Sequence, residues 1–113
     1  MTKIRYRSSL NPTKKHVLEL RDPRWKARRL EILARDNSRC QLCGVGQHSG
    51  LHVHHLRYGI GLTAWGHPDA DLLTLCDFCH GGLHTLKAMT RKEFFQLKPM
   101  LLDLIPATRR SAP

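Results

Sequence analysis

Four cysteines, arranged as two C-x2-C pairs, constrain this chain more than any other feature of its sequence. Cys40 and Cys43 form the first pair, Cys76 and Cys79 form the second, and 32 residues separate the pairs. Two short-spaced pairs are typical of a tetrahedral structural zinc site, to which each pair supplies two thiolates. Four thiolates leave no coordination position for a substrate, so we predict a Zn²⁺ ion that is structural and not catalytic.

The other assignments of these cysteines need conditions that the sequence does not indicate. Disulfide bonds require an oxidising compartment, and the basic segment Met1–Arg7 is not followed by the apolar stretch of a secretory signal. A thioredoxin-type redox site would need only one C-x2-C pair. We therefore expect an intracellular, cytoplasmic protein.

The length of 113 residues leaves room for one small domain, whose core a bound zinc would reinforce. We predict a basic N-terminal arm over residues 1–21, a single domain over 22–105 with its core at 40–87, and a C-terminal tail over 106–113. No apolar run approaches the roughly 20 residues that a membrane helix needs, so we expect no membrane partner.

The net charge of +10 predicts a polyanionic partner, and DNA is the first candidate. A basic protein that its charge merely keeps in solution is the alternative. Residues 1–39 carry twelve Lys and Arg against four acids, and residues 85–113 carry six against two. Residues 40–84 carry one Arg against three Asp, together with all four cysteines and seven of the eight histidines. Basic segments therefore flank a centre in which the chemistry is expected.

Local signals predict both helices and strands, which makes the fold a small α+β domain. Asp22 before Pro23 is typical of a helix N-cap, and the apolar pattern that follows continues to about Asp36. Residues 51–56 alternate like a short strand, and residues 72–75 form either a strand or a turn.

Two more helices are predicted in the C-terminal half of the chain. One begins near Cys79 and continues toward Lys87. Thr90 and Glu93 match a capping box, so another helix begins there, and Pro99 is expected to break or kink it.

Two pairs of histidines accompany the cysteines. His54 and His55 lie in the long gap, and His80 and His84 follow the last cysteine. A spacing of four places His80 and His84 on one helix face, where both can bind one metal ion. Histidines without a special role, in the core or on the surface, are the alternative. His52 alternates with His54 on the predicted strand, and we expect packing or solvent exposure for it.

Taken together, these residues resemble the HNH endonucleases, whose core is the ββα-metal (His-Me finger) motif. The resemblance implies a ββα-metal core with a structural zinc knuckle pair and flanking helices, and hydrolysis of DNA phosphodiester bonds to 5′-phosphate and 3′-hydroxyl ends. It also points to a bacterial or phage-encoded protein. The resemblance rests on residues 40–43, 51–58 and 71–84.

The resemblance implies a role for five residues. His55 matches the general base that activates water, and His54, His80 and His84 match ligands of the catalytic metal. Asp71 stands where the family has its central Asn, which holds the catalytic loop and orients the base. His54 and His55 can face one cleft only if the strand ends or bends there, because neighbours on a regular strand point to opposite faces.

The implied reaction uses one catalytic divalent metal ion besides the structural Zn²⁺. The imidazole ligands favour Mn²⁺, Ni²⁺, Co²⁺ or Zn²⁺, and the family also works with Mg²⁺. No separate sequence-reading element is recognisable, so cleavage should be weakly specific, or a homodimer or a partner protein would supply specificity. The predicted DNA contacts are Arg57, Lys87, Arg24, Arg28 and Arg29.

Two other functions remain open on this sequence. The first is a non-catalytic, zinc-stabilised nucleic-acid-binding module on an HNH scaffold. The second is a zinc-stabilised protein-interaction domain, against which the charge and the histidine set argue. The intact set of a base and three ligand candidates favours the enzyme.

Overall fold

An antiparallel pair of five-residue strands forms the centre of the fold, with helices on both of its faces. The computed structural model describes residues 6–7, 14–46, 50–59, 62–83 and 89–106. The elements in chain order are β1 (Tyr6–Arg7), α1 (Lys14–Glu19), α2 (Pro23–Arg35), β2 (Leu51–His55), β3 (Tyr58–Gly59), two short 3-10 turns (Ala64–Gly66 and Asp69–Asp71), β4 (Leu72–Cys76), α3 (Asp77–Leu83) and α4 (Arg91–Leu102).

The central strands are β2 and β4, which pair from Leu51 opposite Cys76 to His55 opposite Leu72. Residues 72–75, predicted as a strand or a turn, are thus a strand, and all of β4 is buried. Because strand side chains alternate, Leu72 faces α2, whereas Leu73 lies on the opposite face with the cysteines. A strand buried on both faces reads as a continuous apolar run, so it shows no alternation in its sequence.

Helix α2 confirms the predicted start and end. The Asp22 carboxylate accepts a hydrogen bond from the Arg24 backbone N–H at 2.8 Å, and Pro23 occupies the first helical position. The helix ends at Arg35, and Asn37 then adopts a positive φ of 56°. Trp25 and Ile32 are the residues by which α2 packs onto the central strands.

Two hydrophobic clusters lie on either side of the strand pair. The cluster on the α2 face is the smaller one and contains Trp25, Ile32, Val53, Ala64 and Leu72. The other joins the cysteines to α4 and contains Cys40, Leu42, Cys43, Leu56, Leu73, Leu75, Cys76, Cys79, Met89, Phe94 and Ile105. The cysteines therefore form part of the main core.

The C-terminal helices follow the sequence signals with two differences. Helix α3 begins at Asp77, two residues earlier than predicted, directly after β4. The capping box of α4 is present, with Thr90 and Glu93 bonded reciprocally. Pro99 lies inside α4, which continues to Leu102. Packing of Phe94 and Leu101 against the main core offsets the backbone bond that a proline removes.

The N-terminal region contains two elements that the sequence did not predict. Strand β1 pairs antiparallel with β3, with Tyr6 opposite Gly59, and α1 precedes α2. The predicted C-terminal tail lies almost wholly outside the described residues. Of the helices in the described ranges, none has the length and apolarity needed to cross a membrane.

Candidate metal centre and histidine sites

The four cysteines converge on one point in the core. Their Sγ atoms all lie within 4.8 Å of one another, all four side chains are buried, and Cys43 and Cys76 are 3.6 Å apart. Zn–S bonds of about 2.3 Å place the sulfurs of a tetrahedral site roughly 3.8 Å apart. The four cysteines are therefore positioned to bind a structural Zn²⁺ ion, as the sequence predicted.

Both C-x2-C pairs make the same local contact between a backbone N–H group and a sulfur. The backbone N–H of Cys43 points at the Cys40 sulfur at 3.4 Å, and that of Cys79 at the Cys76 sulfur at 3.5 Å. Gly44 closes the first pair with a φ of 84°, a conformation that favours glycine. These N–H groups stabilise negative charge on the sulfurs, which is the ionisation state that zinc requires.

The thiols influence one another's ionisation. The side-chain hydrogen bond from Cys79 lowers the pKa of Cys40 to about 4, whereas burial raises the pKa of Cys43 to about 11. The hydrogen bond to Cys40 raises the pKa of Cys79 above its usual range. One thiolate thus suppresses the ionisation of its neighbours, and a divalent cation would relieve that repulsion.

The predicted ligands His54 and His80 come together between β2 and α3. His54 is buried, and its ring meets that of His80 edge to face, with the centroids 4.8 Å apart and the planes at 78°. Metal–nitrogen bonds of about 2.0–2.1 Å allow two nitrogens up to about 4 Å apart to share an ion. His80 follows the zinc ligand Cys79 directly, so the cysteine cluster fixes its position.

A third histidine, His52, belongs to the same group. Its ring stacks on His80 with the centroids 5.0 Å apart, and it bonds to the Asp77 carboxylate. Its side chain is 47% exposed, which is one of the two placements predicted for it, although its contacts with His80 and Asp77 were not predicted. The signal that could have placed it is its alternation with His54, since residues two apart on a strand share a face.

The histidine group offers two of the three predicted ligands within the described residues. His84, the third, lies outside them. Among the residues that the structure describes, the cysteines are the one group of three or more His, Cys, Asp or Glu side chains close enough to hold a metal ion. A metal at His54 and His80 would therefore need a ligand from elsewhere, and His84 is the predicted one.

His55 lies on the opposite face of β2 from His54. Its ring is 2% exposed and stacks on Trp25 at 4.8 Å, with the ring of His67 edge-on at the same distance. Strand β2 is regular through His55, so the strand does not bend to bring the two histidines into one cleft. His55 Nε2 bonds the Ala64 carbonyl at 2.9 Å, and because a carbonyl only accepts, this nitrogen carries the proton.

Asp71 is fully buried at the turn that leads into β4. Its Oδ1 accepts a hydrogen bond from Arg57 Nε at 2.9 Å and forms an ion pair with the Arg57 terminal nitrogen Nη2, also at 2.9 Å. Its backbone carbonyl accepts the Leu56 N–H at 2.7 Å, which ties the turn to the end of β2. Asp71 therefore holds together the two segments that flank the histidines. Arg57, predicted to contact phosphate, is its partner in this structure.

The predicted DNA contacts on α2 all make contacts within the protein. Arg24 pairs with Asp22 and lies over the Trp65 ring at 4.1 Å. Arg28 bonds the Asp69 carboxylate, and Arg29 bonds a backbone carbonyl in β2. Lys87 lies outside the described residues. These contacts orient the guanidinium groups but do not test whether they meet DNA.

No protein-family model, curated protein or solved structure matches this chain.

Proposed function

We propose that the protein is a metal-dependent DNA endonuclease of the HNH type. The observation that carries this proposal is the meeting of His54 and His80 between the antiparallel strands and the helix that follows them. The HNH resemblance implies two strands and a helix with histidines between them. The four cysteines, which include Cys79 of α3, hold this helix in place. The net charge of +10 suits a polyanionic substrate.

The proposed mechanism assigns roles to four histidines. His54 and His80, with His84, would hold a divalent cation, which would stabilise negative charge on the phosphate in the transition state. His55 would act as the general base and accept the proton of the attacking water. Water would then attack the phosphorus in line and release the 3′-oxygen.

One observation favours a second function. His55 is buried between Trp25 and His67, on the face away from His54. A residue placed in this way packs like a core histidine, and in that role it would not act on substrate. A zinc-stabilised nucleic-acid-binding module without catalytic activity is therefore the second candidate.

Nicking of supercoiled plasmid separates the two functions. The zinc-loaded protein would be incubated with Mg²⁺, Mn²⁺ or Ni²⁺, and His55→Ala compared with His67→Ala. His67 is the control because it is a histidine of the same region that is buried to nearly the same extent, at 3% exposed against 2% for His55. We expect His55→Ala to lose nicking by at least 100-fold, a loss typical of removing a general base, and His67→Ala to retain it.

Two outcomes contradict the endonuclease. Equal nicking by His55→Ala and the wild type would exclude His55 as the base. Binding of DNA without nicking under every metal would establish the second candidate instead.

A further inference from the structure

A cleft with a cationic lining lies outside the cysteine and histidine sites. It has a volume of about 710 Å³ and opens between the end of α2, the turn before Asp71 and the first turns of α4. The residues that line it are Arg35, Asp69, Ala70, Arg91, Lys92, Phe95 and Gln96.

The charge of the cleft remains positive after its internal ion pairs are formed. Asp69 is the one acid among these described lining residues, and Arg28 pairs with it and lowers its pKa. Arg35 binds the buried Asp36 carboxylate through two nitrogens, both at 2.9 Å. Both pairs are therefore neutral. Two cations remain in the lining.

The first of these cations is Arg91, whose bonding capacity is not used up within the protein. It lies over the Phe95 ring at 4.7 Å and approaches Asp36 only to 3.8 Å. The Asp36 carboxylate already accepts bonds from Arg35 and from the Thr74 N–H. Within the described part of the chain, Arg91 Nε is buried and has no hydrogen-bond partner. A guanidinium held in this way retains donors for an external anion.

The second cation is Lys92, which is exposed at the start of α4. The capping box occupies the backbone N–H groups of Thr90 and Glu93. The two N–H groups between them belong to Arg91 and Lys92. The positive end of a twelve-residue helix therefore adds to the charge of both side chains.

We propose that this cleft binds a phosphate group of the DNA backbone through Arg91 and Lys92. The proposal deepens the proposed function, since it rests on DNA as the partner, but it does not require that the DNA be cut. The turn that lines the cleft continues into β4, in which Leu73 pairs with His54. A phosphate held there would set the position of the duplex relative to the histidines without reading its sequence.

Binding of a fluorescently labelled DNA duplex, measured by anisotropy at several salt concentrations, tests the cleft. Protein that carries one Zn²⁺ ion per chain, without free divalent metal, is used so that the proposed catalytic site stays unfilled and no cleavage occurs. We expect Lys92→Gln and Arg91→Gln each to weaken binding by about 3- to 10-fold. The double variant should reduce the slope of log K against log salt by about 1, the change expected for one lost phosphate contact.

Two matched variants control for general charge and for folding. Lys26→Gln removes the same charge from the exposed side of α2, outside the cleft, and should leave the salt slope unchanged. Arg91→Lys keeps the charge and should retain most of the slope.

The outcomes distinguish a failure of the cleft proposal from a failure of the endonuclease proposal. Equal loss in Lys26→Gln and Lys92→Gln, or no binding of DNA by the wild type, would overturn the cleft as a site for backbone phosphate. A second result would also overturn the proposal: inorganic phosphate binds in a way that depends on Lys92, but the Lys92 and Arg91 variants do not change the salt slope of DNA binding. The cleft would then be a site for a free anion. A protein that binds through the cleft but cuts nothing would support the cleft and contradict only the endonuclease.

Discussion

His54 and His55 are consecutive in the chain, yet their rings lie on opposite faces of β2. His54 meets His80 on the face of α3, and His55 stacks on Trp25 on the face of α2. The two residues can act on one phosphate only if the backbone after His54 changes conformation, because neighbouring strand residues face opposite sides. Nicking by His55→Ala therefore tests the chemistry and this change of conformation together.

Zinc should be required for the folded state. We expect one Zn²⁺ per chain, and we expect Cys76→Ser to lose it, because a site with three thiolates binds zinc more weakly and the ion contributes its binding energy to folding. The variant should show no cooperative thermal unfolding by circular dichroism. Zinc is counted with a colorimetric chelator.

Gln41→Ala is the control for the zinc site, because Gln41 lies inside the first C-x2-C pair without being a ligand. It should retain the ion. A Cys76→Ser protein that unfolds at the wild-type temperature would show that the cluster is dispensable for stability.

The carboxylate of Asp36 should be the most sensitive charged group in the fold. It is buried, and it accepts bonds from Arg35 and from the Thr74 N–H at 3.0 Å. Asp36→Ala would leave the buried Thr74 N–H and the partly exposed Arg35 without their acceptor; an unsatisfied buried donor costs about 1–3 kcal/mol, and loss of the Arg35 pair adds to this cost. Urea unfolding of the zinc-loaded protein measures this cost.

Glu31→Ala is the matched control for Asp36. Glu31 is exposed on α2, the helix that Asp36 directly follows, and it pairs with Arg28 at the surface. Exposed pairs contribute about 0–1 kcal/mol, so this variant should be nearly as stable as the wild type. Equal losses in the two variants would contradict the role assigned to Asp36.

Asp71→Asn should destabilise the protein, although Asn is the residue that the HNH resemblance implies at this position. Asp71 is fully buried, accepts a hydrogen bond from Arg57 Nε and forms an ion pair with its guanidinium. An amide keeps the shape but loses the charge, and because Arg57 is partly exposed we expect a loss of about 1–3 kcal/mol in unfolding free energy. Asp103→Asn, an exposed Asp at the end of α4, should change stability little. A stabilised Asp71→Asn protein would show that the buried charge is unfavourable.

The capping box of α4 should make stability depend on pH through Glu93. Hydrogen bonding from the Thr90 backbone N–H, and then from its side chain, lowers the pKa of Glu93 from its ordinary 4.5. A lowered pKa means that the stabilisation is complete above the ordinary value and is lost as the pH falls through the folded value. The difference in melting temperature between the wild type and Glu93→Gln should therefore be constant from pH 6 to 8 and shrink as the pH falls below about 4.

Thr63→Ala is a control for the other half of the capping box, Thr90→Ala. Thr63 precedes a short 3-10 turn without capping it through its side chain. Loss of an N-cap costs about 1 kcal/mol, so Thr90→Ala should be clearly less stable than Thr63→Ala. Equal stability of Thr90→Ala and Thr63→Ala at neutral pH would show that the capping box does not stabilise the protein.

Local signals were sufficient for much of the fold. The start of α2 at Pro23 and the capping box at Thr90 were predicted because a helix end is determined by a few adjacent residues. Helix α3 begins at Asp77, inside the second C-x2-C pair and two residues before the predicted start. Strand β4 was ambiguous, since an apolar run buried on both faces carries no period of its own.

The sequence by itself determined that four cysteines would form one site, because their spacing leaves few other uses for two such pairs. Only the tertiary structure decided that His52 joins His54 and His80, that Arg57 pairs with Asp71, and that Arg91 and Lys92 line a common cleft. These contacts join separate segments of the chain, and they depend on the register of β2 against β4 and on how the helices pack. A spacing rule describes neighbours along one element, whereas the partner of a buried charge is determined by which elements meet.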